Sequence, residues 1–113
     1  MTGTQAALVW CPFPDRETAR SAAEIALSEK LVACANIFPE IESLFIWAGA
    51  ASNASECAAL FKTTADKLDV LIIRLGELHP YDTPAIVGWR CDAALPATLQ
   101  WLGAAIGNGQ LGD

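Results

Sequence analysis

The sequence predicts a single α+β domain whose antiparallel sheet is built from a split β-α-β pattern. Apolar runs typical of strands alternate with two stretches of helical periodicity, and two strands follow one another directly in the middle as a hairpin. A further amphipathic stretch near the end predicts an additional C-terminal helix. In this arrangement both main helices lie on one face of the sheet. The other face then needs a cover, and association with copies of the same chain is an economical way to provide one.

The first strand is predicted over residues 6–11, a continuous apolar run that Pro12 and Pro14 should end. Asp15 stands where the N-cap of a helix is expected, because its carboxylate can accept a hydrogen bond from a free amide of the first turn. The helix should run to about Lys30. Its apolar face consists of small and medium residues at helical spacing: Ala19, Ala22, Ala23, Ala26 and Leu27.

A long second strand is predicted over residues 32–47. It contains Pro39, which cannot donate to a sheet ladder and therefore indicates a bulge or an edge position in a bent strand. Residues 48–54, Ala-Gly-Ala-Ala-Ser-Asn-Ala, are predicted to form the turn. The third strand should then return over residues 56–64, which completes the hairpin.

The second helix is expected to begin at Thr64 or Asp66 and to end near Gly76 and Pro80. Its apolar face is the clearest in the chain, with Leu68, Leu71, Ile72, Leu75 and Leu78. A last strand is predicted over residues 86–91. The final helix carries Leu95, Leu99, Leu102 and Ile106, with Pro96 in its first turn. One domain over residues 1–113, with a core of about 6–105 and a frayed tail over 107–113, is the expected organisation.

Composition excludes several classes of function. The chain has 113 residues, of which 53% are hydrophobic and 18% charged, as expected for one folded domain with a real core. Its net charge of −6 and the lack of a basic cluster argue against binding to nucleic acid or to an acidic membrane surface. No apolar run approaches the roughly 18 residues that cross a bilayer, and no signal-peptide pattern is visible. We therefore expect a cytoplasmic protein.

The four cysteines are widely spaced, and we expect them to be small buried hydrophobes rather than disulfide partners: Cys11, Cys34, Cys57 and Cys91. A single histidine, His79, rules out a two-histidine zinc site built from one chain. A cysteine–histidine nucleophilic pair is formally open, but nothing in the sequence supplies an orienting third group or an oxyanion hole. We therefore predict that the protein is not an enzyme.

The segment His-Pro-Tyr-Asp-Thr-Pro, residues 79–84, is the most distinctive in the chain. Its two prolines restrict their neighbours and stiffen the segment, so that it presents His79, Tyr81 and Asp82 at a low entropic cost. Such a loop suits a binding cleft or a subunit contact. It equally suits a rigid helix-to-strand connector, and the residue types alone leave both interpretations open.

Residues 79–86, His-Pro-Tyr-Asp-Thr-Pro-Ala-Ile, resemble the H-P-Y-E-x-P-E-I signature of the CutA family, the divalent-cation tolerance proteins. Four other segments resemble the family in order and spacing: Leu-Val-Ala-Cys-Ala-Asn-Ile at 31–37, Phe-Ile-Trp-Ala-Gly at 45–49, Phe-Lys-Thr-Thr at 61–64, and Leu-Gln-Trp-Leu at 99–102. The resemblance extends over about residues 6–105.

The resemblance implies a ferredoxin-like fold and a tight homotrimer similar in shape to the PII signalling proteins. It also implies binding of a divalent metal, copper in particular, in clefts between subunits. Five residues carry over to those clefts: Cys34 and His79 as metal ligands, and Trp47, Lys62 and Tyr81 as contacts to a bound ligand. Thiolate and imidazole are ligands that suit copper.

This sequence departs from the family pattern in two places. Ala85 replaces the glutamate of the signature, and the hairpin segment 50–53, Ala-Ala-Ser-Asn, lacks the usual acidic residues. Both changes remove carboxylates, so a hard-cation site built from them should be weak or absent. Four hypotheses follow: a metal-binding trimer, a PII-like trimer that binds a small organic ligand, a trimer with a purely structural role, and a cysteine-dependent enzyme.

Overall fold

A computed structural model describes residues 4–107 of the chain. The elements, in order, are β1 (Ala6–Phe13), α1 (Arg16–Ser28), β2 (Cys34–Trp47), β3 (Ala50–Thr64), a 3-10 turn (Ala65–Lys67), α2 (Leu68–Leu78), β4 (Val87–Arg90) and α3 (Pro96–Ala105). The four strands form one sheet in the order β2-β3-β1-β4, and every neighbouring pair is antiparallel. The predicted fold class is confirmed. The tail predicted over residues 107–113 lies, after Gly107, outside the described residues.

The main core lies between one face of the sheet and the helices α1 and α2. Alternate residues of β1 are fully buried there, and Leu71 and Leu75 of α2 pack into the same cluster. Helix α1 contributes alanines, whose small side chains allow it to approach the sheet closely. Asp15 is its N-cap, as predicted: its carboxylate accepts a hydrogen bond from the amide of Thr18 at 2.8 Å.

Helix α3 packs against β3 and covers part of the opposite face. Leu102 of α3 and its C-cap residue Ile106 are buried outside the cluster that α1 and α2 form with the sheet. Pro96 occupies the first turn of α3, where the amide that proline lacks has no helical partner.

Pro12 does not end β1, which corrects the sequence prediction. In an extended strand the amide and the carbonyl of one residue point to the same side, and the carbonyls of alternate residues share that side. The carbonyl of Ala6 accepts from Cys91 next to β4, so Pro12 also faces the β4 side. Strand β4 pairs with β1 only as far as Trp10. The missing amide of Pro12 therefore interrupts no ladder, and the strand continues to Phe13.

The β2–β3 hairpin is longer than predicted, because residues 50–54 are strand rather than turn. The turn consists of Ala48 and Gly49 alone, which have φ values of 53° and 80°. Positive φ at both positions is typical of the tight turns that match the twist of a hairpin. The bulge predicted at Pro39 is confirmed, since the register shifts between Phe38 and Ile41.

Only part of this hairpin belongs to the sheet proper. Strand β1 pairs with β3 from Cys57 onward, so residues 50–56 of β3 pair with β2 alone. We call residues 41–47 and 50–56 the distal ribbon. It extends beyond the helices, and the described chain accordingly measures 50 × 26 × 21 Å.

Candidate functional site

A groove of about 650 Å³ lies between the distal ribbon and the segment after α2. We call residues 79–85 the His79 loop. The groove is lined by Pro12 of β1, by ribbon residues and by most of the loop: Ser43, Phe45, Ile46, Trp47, Ala54, Glu56, Tyr81, Asp82, Thr83, Pro84 and Ala85. The lining is mainly apolar, with the carboxylates of Glu56 and Asp82 as its charged groups.

Strand periodicity explains why Glu56 and the ribbon aromatics share the groove. Phe45 pairs with Ser52 and Trp47 with Ala50, and paired residues of antiparallel strands point to the same face. Ser52 and Ala50 are separated from Glu56 by even numbers of residues, so all these side chains project to one side. That side is the face opposite α1 and α2.

Tyr81 joins the His79 loop to the ribbon. Its hydroxyl donates a hydrogen bond of 2.9 Å to a carboxylate oxygen of Glu56. The pKa of Tyr81 is raised to about 12. Burial is the largest cause, and the hydrogen bond and the negative charge of Glu56 contribute the next largest parts. The sequence analysis missed Glu56. The available signal was that Glu56 is the only charged residue between positions 50 and 61.

His79 lies beside Tyr81, with both ring nitrogens engaged inside the chain. Nε2 lies 2.7 Å from the carbonyl oxygen of Pro12, and Nδ1 accepts from the amide of Tyr81 at 3.2 Å. The imidazole stacks on Phe13 with ring centroids 4.6 Å apart and planes 14° apart. Only 7% of the residue is exposed.

Cys34 and Lys62 lie at the other end of the sheet. They are direct cross-strand partners, and the thiol of Cys34 lies 3.7 Å from the side-chain oxygen of Asn36. Phe13, on which His79 stacks, is paired with Cys57, five positions from Lys62 along β3. At the rise of a strand, that separation is roughly 16 Å. One chain therefore brings Trp47 and Tyr81 together in the groove, with His79 against Tyr81, and leaves Cys34 and Lys62 apart.

The donor groups of one chain do not form a complete metal site. Among residues 4–107 no group of three or more histidine, cysteine, aspartate or glutamate side chains is arranged to hold an ion. The two predicted ligands, Cys34 and His79, are far apart, and the imidazole already uses both nitrogens.

The two buried cysteines are poor candidates for chemistry. All four cysteines are free, and Cys11 and Cys57 lie in the core as predicted. Burial raises the pKa of Cys11 to about 12, with a further contribution from the charge of Glu56. Burial also raises the pKa of the Cys57 thiol. Because the thiolate is the reactive form, neither residue suits a nucleophile.

The chain matches a known protein family over most of its length. A model of the CutA1 divalent ion tolerance proteins matches residues 7–105. The chain belongs to the CutA1 family. It is 40% identical to the divalent-cation tolerance protein CutA of Thermotoga maritima, over 84% of this chain and 93% of that protein. The predicted family membership is thereby confirmed.

Solved structures of the family share the fold. The crystal structure of the divalent ion tolerance protein CutA1 from Ehrlichia chaffeensis matches with a TM-score of 0.87 and 34% identity, covering 93% of this chain and 98% of that one. The periplasmic divalent cation tolerance protein CutA from Archaeoglobus fulgidus matches with a TM-score of 0.85 and 31% identity, covering 89% and 98%. In the described part of this CutA1 protein, no helix is long and apolar enough to span a bilayer.

Proposed function

We propose that this CutA1 protein assembles into a homotrimer and serves in divalent-cation tolerance by binding an ion between subunits, without catalysing a reaction. Family membership supports the link to divalent cations, since the matching proteins carry that description. The cytoplasm is the compartment that we propose from the sequence. Cell fractionation checks that assignment, which is needed because one relative is described as periplasmic.

The exposed apolar surface of the distal ribbon is the observation that carries the proposal. Leu44, Ile46 and Trp47 are 77%, 71% and 60% exposed, on both faces of a two-stranded structure. Among residues 4–107, no third strand pairs with it. Isolated two-stranded hairpins are marginally stable in water, and clustered exposed apolar groups mark interaction surfaces. Burial of the ribbon against other copies accounts for both features. It also brings side chains of different copies to the groove.

Assembly can be tested by sedimentation velocity on Ile46→Glu, which places a charge on the exposed ribbon. The matched control is Ile73→Glu, at a position of α2 that is 63% exposed. We expect the unchanged chain and the control to sediment as trimers and Ile46→Glu to sediment as a smaller species. Trimers that persist in Ile46→Glu, or an unchanged chain that is monomeric, would contradict the proposed assembly.

Copper is the ion that the predicted ligand types favour, and Cys34 is the predicted ligand that keeps an available sulfur donor. The thiol of Cys34 is half-buried and makes only a long contact to Asn36. We expect Cys34→Ala to abolish copper binding in titration calorimetry. Cys91→Ala, at another half-buried free cysteine, is the matched control and should retain it. Equal affinity in both variants would exclude Cys34 as a ligand.

A second candidate function is binding of a small organic ligand, which the apolar lining of the groove favours. Trp47 and Tyr81 offer flat contact surfaces, and Glu56 and Asp82 favour a neutral or cationic ligand over an anion. Lys62, predicted as an anion contact, does not line this groove within one chain. Native mass spectrometry of freshly purified trimer tests this function: a bound organic mass that is lost in Trp47→Ala supports it. If the trimer binds neither a metal nor an organic ligand, the remaining hypothesis is a trimer with a purely structural role.

A further inference from the structure

We propose that His79 is a positioning residue, which fastens the His79 loop to the open edge of β1 and holds Tyr81 in the groove, rather than a metal ligand. The structural part of this inference stands on the contacts of His79 alone. Its consequence for ligand binding rests on the proposed function, because the groove must be the place where a ligand binds.

The edge of β1 that faces β4 is unpaired beyond Trp10. Strand β4 pairs with β1 only up to Trp10, yet β1 continues to Phe13, so the carbonyl of Pro12 faces a side without a strand. A buried carbonyl without a partner is costly. The imidazole of His79 takes the place of the missing strand, because its Nε2 donates to this carbonyl at 2.7 Å.

The two contacts of the imidazole indicate which of its nitrogens carries the proton. Nδ1 accepts from the amide of Tyr81, and Nε2 faces a carbonyl oxygen, which can only accept. Both contacts are satisfied together by the neutral imidazole that carries its proton on Nε2. A metal ion on Nε2 would displace the contact with Pro12, and one on Nδ1 would displace the amide of Tyr81. Metal binding at His79 would therefore release the segment that the ring holds.

The contacts of His79 extend through Tyr81 to the groove. The backbone of Tyr81 is tied to His79, the two rings lie 4.8 Å apart, and the phenol reaches Glu56 of the distal ribbon. The contacts thus run from Pro12 through His79 and Tyr81 to Glu56. His79 also stacks on Phe13 of the core, so a rigid part of the fold sets the position of Tyr81.

The composition makes the test clean, because the chain contains one histidine and one tyrosine. Long-range ¹⁵N–¹H correlation spectra of the unchanged protein report the tautomer of His79 directly. We expect the tautomer with its proton on Nε2, both with and without added copper. A proton on Nδ1, or copper-induced loss of the imidazole signals with retention of the fold, would overturn the proposal.

Substitutions then separate the two contacts. His79→Asn keeps an acceptor near the position of Nδ1, and His79→Gln keeps a donor near the position of Nε2. The readout is the pKa of the Tyr81 phenol, measured by absorbance near 295 nm with circular dichroism as a check on folding. We expect His79→Ala to lower it from about 12 toward the ordinary value of roughly 10. His79→Asn should restore more of the shift than His79→Gln.

Leu71→Ala is the control, because it removes core packing in α2 about two helical turns before the His79 loop. It should destabilise the protein and leave the pKa of Tyr81 unchanged. If His79→Ala also leaves that pKa unchanged, positioning by His79 is wrong. If the pKa responds while the unchanged protein binds no copper, the positioning role holds and the proposed cation binding fails.

Discussion

Two halves of the β2–β3 hairpin differ in what covers them. In the half beside β1, Ala59 and Phe61 are completely buried beneath α1 and α2. In the distal ribbon, Leu44 and Ile46 project toward the same face of the sheet but pass beyond the helices, and most of their surface is exposed. One half of the hairpin thus stabilises the single chain, whereas the other has a surface suited to a partner. The following predictions test this division.

The largest expected effect comes from truncating an aromatic residue in each half. Phe61→Ala should lower the free energy of unfolding by about 3–5 kcal/mol, because it leaves a cavity in the core. Phe45→Ala, in the ribbon, should cost the single chain less than about 1 kcal/mol. Urea denaturation in the Ile46→Glu background isolates the chain from assembly. Similar losses for both variants would show that the ribbon is stabilised within one chain.

A smaller effect is expected from Gly→Ala at one position beside the core, in β4, and at one position in the turn of the distal ribbon. At Gly88 of β4, a Cβ atom would lie 2.9 Å from Leu68 and 3.0 Å from the carbonyl of Leu8, so Gly88→Ala should cost about 1–3 kcal/mol through overpacking. At Gly49, an added Cβ atom would meet nothing within 4 Å apart from the two adjoining residues, but φ is +80°. Gly49→Ala should therefore cost only the left-handed backbone, about 1–2 kcal/mol.

The control for this pair is Gly76→Ala, on an open helical surface with ordinary backbone angles. It should stabilise the protein by about 0.5–1 kcal/mol, because alanine favours the helix. Thermal unfolding of all three variants checks the order. A Gly49→Ala protein more damaged than Gly88→Ala would mean that the ribbon turn is more constrained than the core edge.

The same division explains which predictions from sequence succeeded. Periodicity identified both main helices, because side chains that meet the core leave a repeating pattern. The bulge was identified from Pro39, because proline has no amide to donate. Periodicity failed over residues 50–54, where alanine, serine and asparagine extend only because they pair with Leu44 and its neighbours. It failed also at Pro12, whose place in β1 depends on how far β4 extends. Both depend on what lies beside the strand.

The candidate site shows the same limit. The His79 loop was identified from its residue types, and family resemblance added Trp47 and Tyr81, which do line the groove. Glu56 was missed, because its partner Tyr81 is 25 positions away and the contact exists only after folding. The resemblance assigned Cys34 and His79 to clefts between subunits, and within one chain they are at opposite ends of the sheet. Their pairing across subunits stays a prediction.

The smallest expected effect comes from replacing Glu56, whose charge acts on one group in the core and one in the groove. Its charge helps to raise the pKa of Cys11 in the core and of Tyr81 in the groove, each to about 12. Burial is the first cause for both groups. Tyr81 alone also donates a hydrogen bond to Glu56. Glu56→Gln should therefore lower the pKa of Tyr81 by more than that of Cys11, as measured by phenolate absorbance and by thiol-alkylation rates against pH.

The sign of the consequence for stability follows from the phenol. Because the pKa of Tyr81 is raised by folding, its contribution is complete below the ordinary value of roughly 10 and is lost as the pH rises through about 12. The unchanged protein should lose stability over that range, and Glu56→Gln should lose less of it, since the phenolate no longer meets a carboxylate. Part of the loss must persist in the variant, because burial remains. Equal shifts for Tyr81 and Cys11 would mean that Glu56 acts through its charge alone, and that the hydrogen bond does not couple the loop to the ribbon.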